Sequence, residues 1–116
     1  MIDVDVYKYL KTAMHDYGVE VDMMNPEKTP ARFVLIEKTG STMLNHIETA
    51  TLAIQSYGET LFDAMQINEQ VKAAMFNAVE STAFSKIELN SDYNFTDTAT
   101  KHPRMQAVFV VTGTNI

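Results

Sequence analysis

Three histidines, His15, His46 and His102, are the side chains of this sequence best suited to metal ligation or to proton transfer near neutral pH. No two of them share helix spacing or a short strand spacing. His46 and Glu48 lie two residues apart, so on an extended strand both project from one face, as a pair of metal ligands or an acid and base would. A third ligand would have to come from elsewhere and none is indicated, so a solvated pair on a strand is the favoured reading. The run Lys38, Thr39, Gly40, Ser41, Thr42 invites comparison with a phosphate loop. Such a loop needs two glycines ahead of a Lys and a hydroxyl residue that open a helix, so that backbone amides cradle the phosphates. Here one glycine follows the lysine, and the next element reads as a strand. Ser41 and Ser56 have no recognisable base or elbow motif to activate them as nucleophiles. The sequence therefore offers no catalytic residue, no metal ligand set and no cofactor site, and we expect a protein that is not an enzyme.

Composition narrows the class further. The chain has 116 residues, 46% of them hydrophobic and 21% charged, which is the profile of one ordinary globular domain, expected to span 1–116. Cysteine is absent, which excludes disulfides, thiolate zinc sites and cysteine nucleophiles. A formal net charge of −6 argues against a protein whose main work is gripping nucleic acid, because nonspecific affinity comes from cations neutralising phosphates. Eight methionines and no tryptophan point to an adaptable apolar core or contact surface. No apolar run reaches the roughly 18 residues that cross a bilayer, and MIDVDVYKYL carries acids where a signal peptide carries Lys or Arg, so no membrane association is expected.

Asp3 and Asp5 precede a stripe of Val6, Tyr7, Leu10, Met14 and Tyr17, which predicts a helix over 4–17 stopped by Gly18. Val19 to Met23 alternates as a half-buried strand, and Asn25, Pro26 and Pro30 mark a turn or edge loop. Arg32 to Glu37 restarts as an apolar strand, Lys38 to Asn45 has no period and reads as a loop, and His46 to Tyr57 alternates as the longest strand. One face of that strand carries Ala50, Leu52 and Ile54; the other is threonine-rich and suits a solvated or partner-covered surface. A main helix is predicted over Thr60 to Ser81, with Leu61, Met65, Val71, Met75 and Val79 as its principal stripe, and Phe62, Phe76 or Ile67 free to meet helix one or a neighbour. Lys86 to Phe95 reads as a strand with Ile87, Leu89, Tyr93 and Phe95 on one side, Thr96 to Pro103 as an exposed loop, and Arg104 to Thr112 as the last strand. The order α-β-β-β-α-β-β predicts an α+β domain, two helices packed on one face of a mostly antiparallel sheet. Tyr93 and Phe95 lack a surrounding basic field and read as sheet residues rather than base-stacking ones.

Three segments, Phe33 to Gly40 (FVLIEKTG), Ala50 to Tyr57 (ATLAIQSY) and Asn90 to Val110, resemble the tail terminator, or tail completion, proteins of tailed bacteriophages and prophages. The features shared with that family are a strand before a glycine-containing loop, a strand ending in Ser-Tyr, and an Asp-Tyr-Asn element ahead of the final strand. Where the family pattern calls for Tyr-Arg-Tyr-Gln or similar, this chain has Pro103, Arg104, Met105 and Gln106.

The resemblance implies an α+β subunit that assembles with itself as a ring, expected to be a hexamer, on the last ring of the tail tube. There it would stop tube growth, contact the tube protein and the head completion proteins, and let DNA pass through its lumen without specific binding. Its expected place is the tail and neck region of the virion, after assembly in the cytoplasm of the bacterial host. Six copies at −6 each would carry about −36, which disfavours DNA adhesion if the acids face the lumen. Candidate contact residues are Lys38, Thr39, Ser41 and Met43 in the first expected loop and Asp97, Lys101, His102 and Arg104 in the second, as exposed polar loops on a rigid sheet often bind. The alternatives are another head-to-tail connector or tube component of similar fold, or a host protein that binds a small ligand on the open sheet face.

Overall fold

A computed structural model describes residues 1–24, 30–80 and 84–114. The elements follow in the order α1 (Ile2–His15), β1 (Glu20–Asp22), β2 (Phe33–Leu44), β3 (Ile47–Tyr57), α2 (Leu61–Asn77) with a short 3-10 turn at Ala78–Glu80, β4 (Lys86–Asn94) and β5 (Arg104–Thr114). The strands form one sheet in the order β1-β2-β3-β5-β4. Three of its pairings, β2 with β3, β3 with β5 and β4 with β5, are antiparallel. The short β1 pairs with β2 in parallel, Glu20 to Phe33 through Asp22 to Leu35, where consecutive strands led us to expect an antiparallel partner. The expected turn at Asn25 and Pro26 lies outside the described residues.

Both helices pack on the same face. Val6, Leu10 and Met14 of α1 and Ile67, Val71 and Met75 of α2 join Val34, Ile36, Ala50, Leu52, Ile54, Ala107, Phe109 and Val111 of the sheet in one buried cluster. The α+β class and the one-sided helix layer are therefore as the sequence predicts. α1 begins two residues earlier than expected and ends at His15; Gly18, at φ 68°, turns the chain into β1.

The start of α2 is tied down in several ways. Thr60 caps it, its hydroxyl accepting from the Asp63 amide at 3.0 Å, while the Asp63 carboxylate accepts from the Glu59 amide at 3.0 Å. Arg32, just ahead of β2, donates to both Asp63 oxygens at 3.2 and 3.0 Å and to the Tyr17 carbonyl at 3.1 Å, joining the ends of both helices to the sheet. Gly58 lets α2 come closer still: a Cβ there would lie 2.3 Å from the Ala64 nitrogen. In this position α2 turns Ala64, Ile67, Val71 and Met75 inward, with Ala78 just beyond it. The expected stripe is corrected accordingly, because Leu61, Met65 and Val79 of that stripe are exposed; of the side chains expected to meet helix one or a neighbour, Ile67 is fully buried in the cluster that holds Val6, Leu10 and Met14 of α1, whereas Phe62 and Phe76 are exposed.

Two β-bulges alter which side chains share a face. The first, at Thr39, falls between the pairs Lys38 with Leu52 and Gly40 with Thr51. The second, at Asn90, falls between Leu89 with Phe109 and Ser91 with Val108. Each inserts one residue and so inverts the alternation downstream. Ile87 and Leu89 therefore point to the helices while Tyr93 points to the opposite face, where a single shared side had been expected. Asp92 is thereby turned under α2, where it accepts from Asn68 Nδ2 at 2.7 Å and from the Lys72 ammonium.

Replacing Gly58 by Ala is expected to lower stability by about 1–3 kcal/mol, the usual cost of overpacking, because the Cβ meets backbone rather than a side chain that can swing away. Urea unfolding monitored by circular dichroism checks this; an unchanged midpoint would contradict the close-approach account.

Candidate interaction surfaces

The segment holding Lys38, Thr39, Ser41 and Met43 is not a loop. β2 runs on to Leu44, paired with β3 down to Leu44 with Ile47, and only Asn45 and His46 form the turn. Threonine suits a strand, and the bulge at Thr39 erases the period-2 signal, which is why the sequence reads as irregular there. The Thr39 hydroxyl donates to the Thr51 carbonyl at 3.3 Å across the bulge. Lys38, Thr39, Ser41 and Met43 remain exposed, so the candidate contacts lie on the arm of a hairpin instead. β1 pairs only with Phe33–Leu35, so beyond Leu35 this arm is an outer edge of the sheet. Its tip is apolar: Met43, Leu44 and Ile47 are 53, 75 and 49% exposed.

Asn45 and His46 adopt φ of 53° and 66°, the left-handed pair of a two-residue hairpin turn. Asn is at home there; His is not. The turn also separates His46 from Glu48. His46 is exposed at the tip, whereas Glu48 points into the helix face, 6% exposed, and accepts from the Ile2 amide at 3.4 Å. The two do not form a ligand pair. Ser56 is fully buried on β3, and Ser41 is exposed on the hairpin arm.

The second candidate group behaves differently. Asp97 organises the β4–β5 loop, its Oδ1 accepting from the amides of Ala99 at 2.8 Å and Thr100 at 3.4 Å, and these bonds hold its carboxyl below the usual carboxylate range. Lys101, at φ 58°, is exposed beside it. His102 and Arg104 turn back onto the sheet. The His102 ring lies 4.9 Å from the Tyr57 ring, and the Arg104 guanidinium sits 4.3 Å from the Phe95 ring and 5.5 Å from that of Tyr57.

Arg104 also opens a hydrogen-bond relay that sequence reading missed. It donates to the Tyr57 hydroxyl at 3.0 Å, and Tyr57 donates to Gln55 Oε1 at 3.1 Å. Gln55 Nε2 donates to Gln106 Oε1 at 2.9 Å, and Gln106 Nε2 donates to the Tyr93 hydroxyl. The relay joins β3, β5 and β4 on the face away from the helices, beside a second apolar cluster of Phe33, Leu35 and Tyr57 whose two rings stack at 4.2 Å. Spacing alone, Gln55 with Tyr57 and Arg104 with Gln106, was the available signal. This face is thus closed by its own side chains at the Tyr57 end. At the other end Thr49, Thr51, Val108, Val110 and Thr112 are half-buried, with no layer over them among the described residues.

A third feature lies beside α2. Phe62, Met65 and Met105 with Asn68, Glu69 and Asp92 line a concavity of about 520 Å³. Phe62 is 68% exposed, yet Asn68 is 1% exposed and its Oδ1 has no hydrogen-bond partner among the described residues. The Asp92 and Glu69 carboxylates both bond Lys72, whose pKa is raised by the hydrogen bonds to Asp92 and then Glu69.

Two outcomes are expected here. His46→Gly should stabilise the protein by about 1 kcal/mol, since glycine adopts the left-handed turn without the Cβ penalty, and should raise its Tm; a lower Tm would contradict the turn assignment. Asp97, whose folded pKa lies below its unfolded value, contributes order above the ordinary carboxylate pKa of about 3.9 and loses it as pH falls further. NMR should therefore show the Ala99 and Thr100 amides losing protection below that pH, while Asp97→Ala loses it at every pH.

The chain matches no protein-family model, and a search of curated proteins finds no match.

Proposed function

We propose that this chain is a non-enzymatic virion protein that assembles as a ring, expected to be a hexamer, on the last ring of a phage tail tube, ends tube growth and forms the surface for head joining. The observation that carries the reading is where the resembling segments fall. Residues 33–40, 50–57 and 90–110 belong to β2, β3, β4 and β5, which are neighbours in the sheet, so segments far apart in sequence make one continuous surface. Half of that surface has no covering layer among the described residues, as a face kept for a partner requires.

Charge supports a conduit. Glu20, Asp22, Glu37 and Glu88 are register mates of Phe33, Leu35, Ala53 and Val110 and so lie on the uncovered side, against Lys86 and Arg104 there. A ring with this face toward its lumen presents a net negative wall to DNA. The hairpin edge of β2 and the apolar tip supply contacts toward neighbouring copies and the tube.

Deleting the gene from its phage and imaging the lysate by electron microscopy tests the reading. Overlong tails apart from DNA-filled heads are expected, restored to normal length by the wild-type gene in trans. Normal virions would overturn the proposal, and tails of normal length unable to attach would transfer the chain to another head-to-tail joining role.

A further inference from the structure

Both lateral edges of the sheet are long strands with exposed side chains. On one side β1 pairs only as far as Leu35, and β2 is exposed at every position from Glu37 to Leu44. On the other side β4 pairs with β5 alone among the described residues, and most of its side chains are exposed. An edge strand presents a row of backbone N–H and C=O groups whose natural complement is another strand. β3 and β5 lie between these two edges, so about 14 Å of sheet separates them at roughly 4.8 Å per strand step. A subunit cannot pair its own edges; they can meet only between copies.

Strand directions agree. Each of β2, β3, β5 and β4 is antiparallel to the next, so a second copy set beside the first, helices on the same side, lays its β2 antiparallel to the first copy's β4. The faces agree as well, because both edges are bulged at the same level. On β2, Lys38 lies on the helix side before the bulge at Thr39, and Ser41 and Met43 lie there after it. On β4, Ile87 and Leu89 lie on the helix side before the bulge at Asn90, and Asp92 lies there after it. With Thr42 set opposite Glu88, Met43 faces Ile87, Ser41 faces Leu89 and Lys38 faces Asp92, all on the helix side, and the two bulges fall in the same step. A bulge on one edge alone would set inward side chains against outward ones along half of the pairing.

Charge favours the same register. Lys38 is the sole charged residue from Lys38 to Leu44, whereas β4 is net acidic, with Glu88 and Asp92 against Lys86. Asp92 already accepts from Asn68 and Lys72, but a carboxylate offers about four acceptor sites and has room for a further donor. Two β4 edges would bring acid to acid, and a face-matched pairing between them would set Asp92 against Ile87. Bulges and inward charges ordinarily discourage edge pairing. On these two edges they exclude a flat strand and fit each other.

We infer that β2 of one copy, from Lys38 to Leu44, pairs antiparallel with β4 of the next, from Asp92 back to Lys86, so that one sheet continues from copy to copy. The contact joins two different edges, so copies add head to tail. That the series closes rests on the ring reading above; the pairing itself does not.

The absence of cysteine makes the register directly readable. Thr42→Cys and Glu88→Cys, both at exposed positions, are prepared separately, checked for an unchanged melt, mixed and oxidised. A disulfide should form in the mixture, since facing Cβ atoms of an antiparallel pair lie about 4.5–5.5 Å apart, with neither variant linking to itself. Its yield should fall several-fold when Lys38→Glu is added to the Thr42→Cys chain, and likewise when Lys86→Cys, two residues along on the same face, replaces Glu88→Cys. A chain carrying both cysteines, at 42 and 88, should give a ladder that extends beyond dimers. No link between 42 and 88, links of 42 to 42 or 88 to 88, equal linking at 86, or a ladder that stops at two would each overturn the edge contact. Cross-linking without overlong tails in the deletion phage would sink the tail reading alone, and overlong tails without cross-linking would sink this contact alone.

Discussion

The inner face of β3 is the contact on which the remaining structure depends. Ala50, Leu52 and Ile54 are fully buried beneath both helices, and β3 pairs along its whole length with β5 and with β2. Truncating a buried leucine costs about 2–5 kcal/mol, a large share of a small domain's net stability. With both helices committed to this one side, no other described helix covers the opposite face. The uncovered surface is a consequence of where the apolar side chains fall, and the chain treats its two ends differently.

At the Tyr57 end the sheet closes itself. The relay from Arg104 through Tyr57, Gln55 and Gln106 to Tyr93 leaves each of these amide and hydroxyl groups with a partner, and stacking of Phe33 on Tyr57 supplies apolar cover without a second layer. His102 and Arg104 are held in this network, which fixes the β4–β5 loop from one side while Asp97 fixes it from within. Of the candidate contact residues in this loop, Lys101 remains exposed and unengaged by the ring stack. At the other end the threonine-lined face, the edge of β2 and the apolar tip stay open among the described residues.

Much of this was readable from residue periodicity. The stripe of Val6, Leu10 and Met14, the alternation of Ala50, Leu52 and Ile54, and the element order gave the α+β class and the one-sided helix layer. What escaped has a common physical origin. The bulges at Thr39 and Asn90 each shift the two-residue alternation by one, which made half of β2 look like a loop and put Tyr93 on the wrong side. The close approach of α2 at Gly58 depends on a helix backbone that only the folded chain brings near. The relay links residues as far apart as 51 positions through side-chain amides, for which no local pattern exists.

These features together describe a rigid body with one sealed face, one partly open face and two complementary sheet edges, which on our account is a capping subunit. The most direct test is to add the purified protein to tube subunits of its phage during polymerisation and to measure tube lengths. Elongation should stop at amounts far below equimolar, set by the number of tube ends, with the protein found at one end of each tube. Undiminished elongation, or incorporation along the whole tube wall, would contradict a capping role.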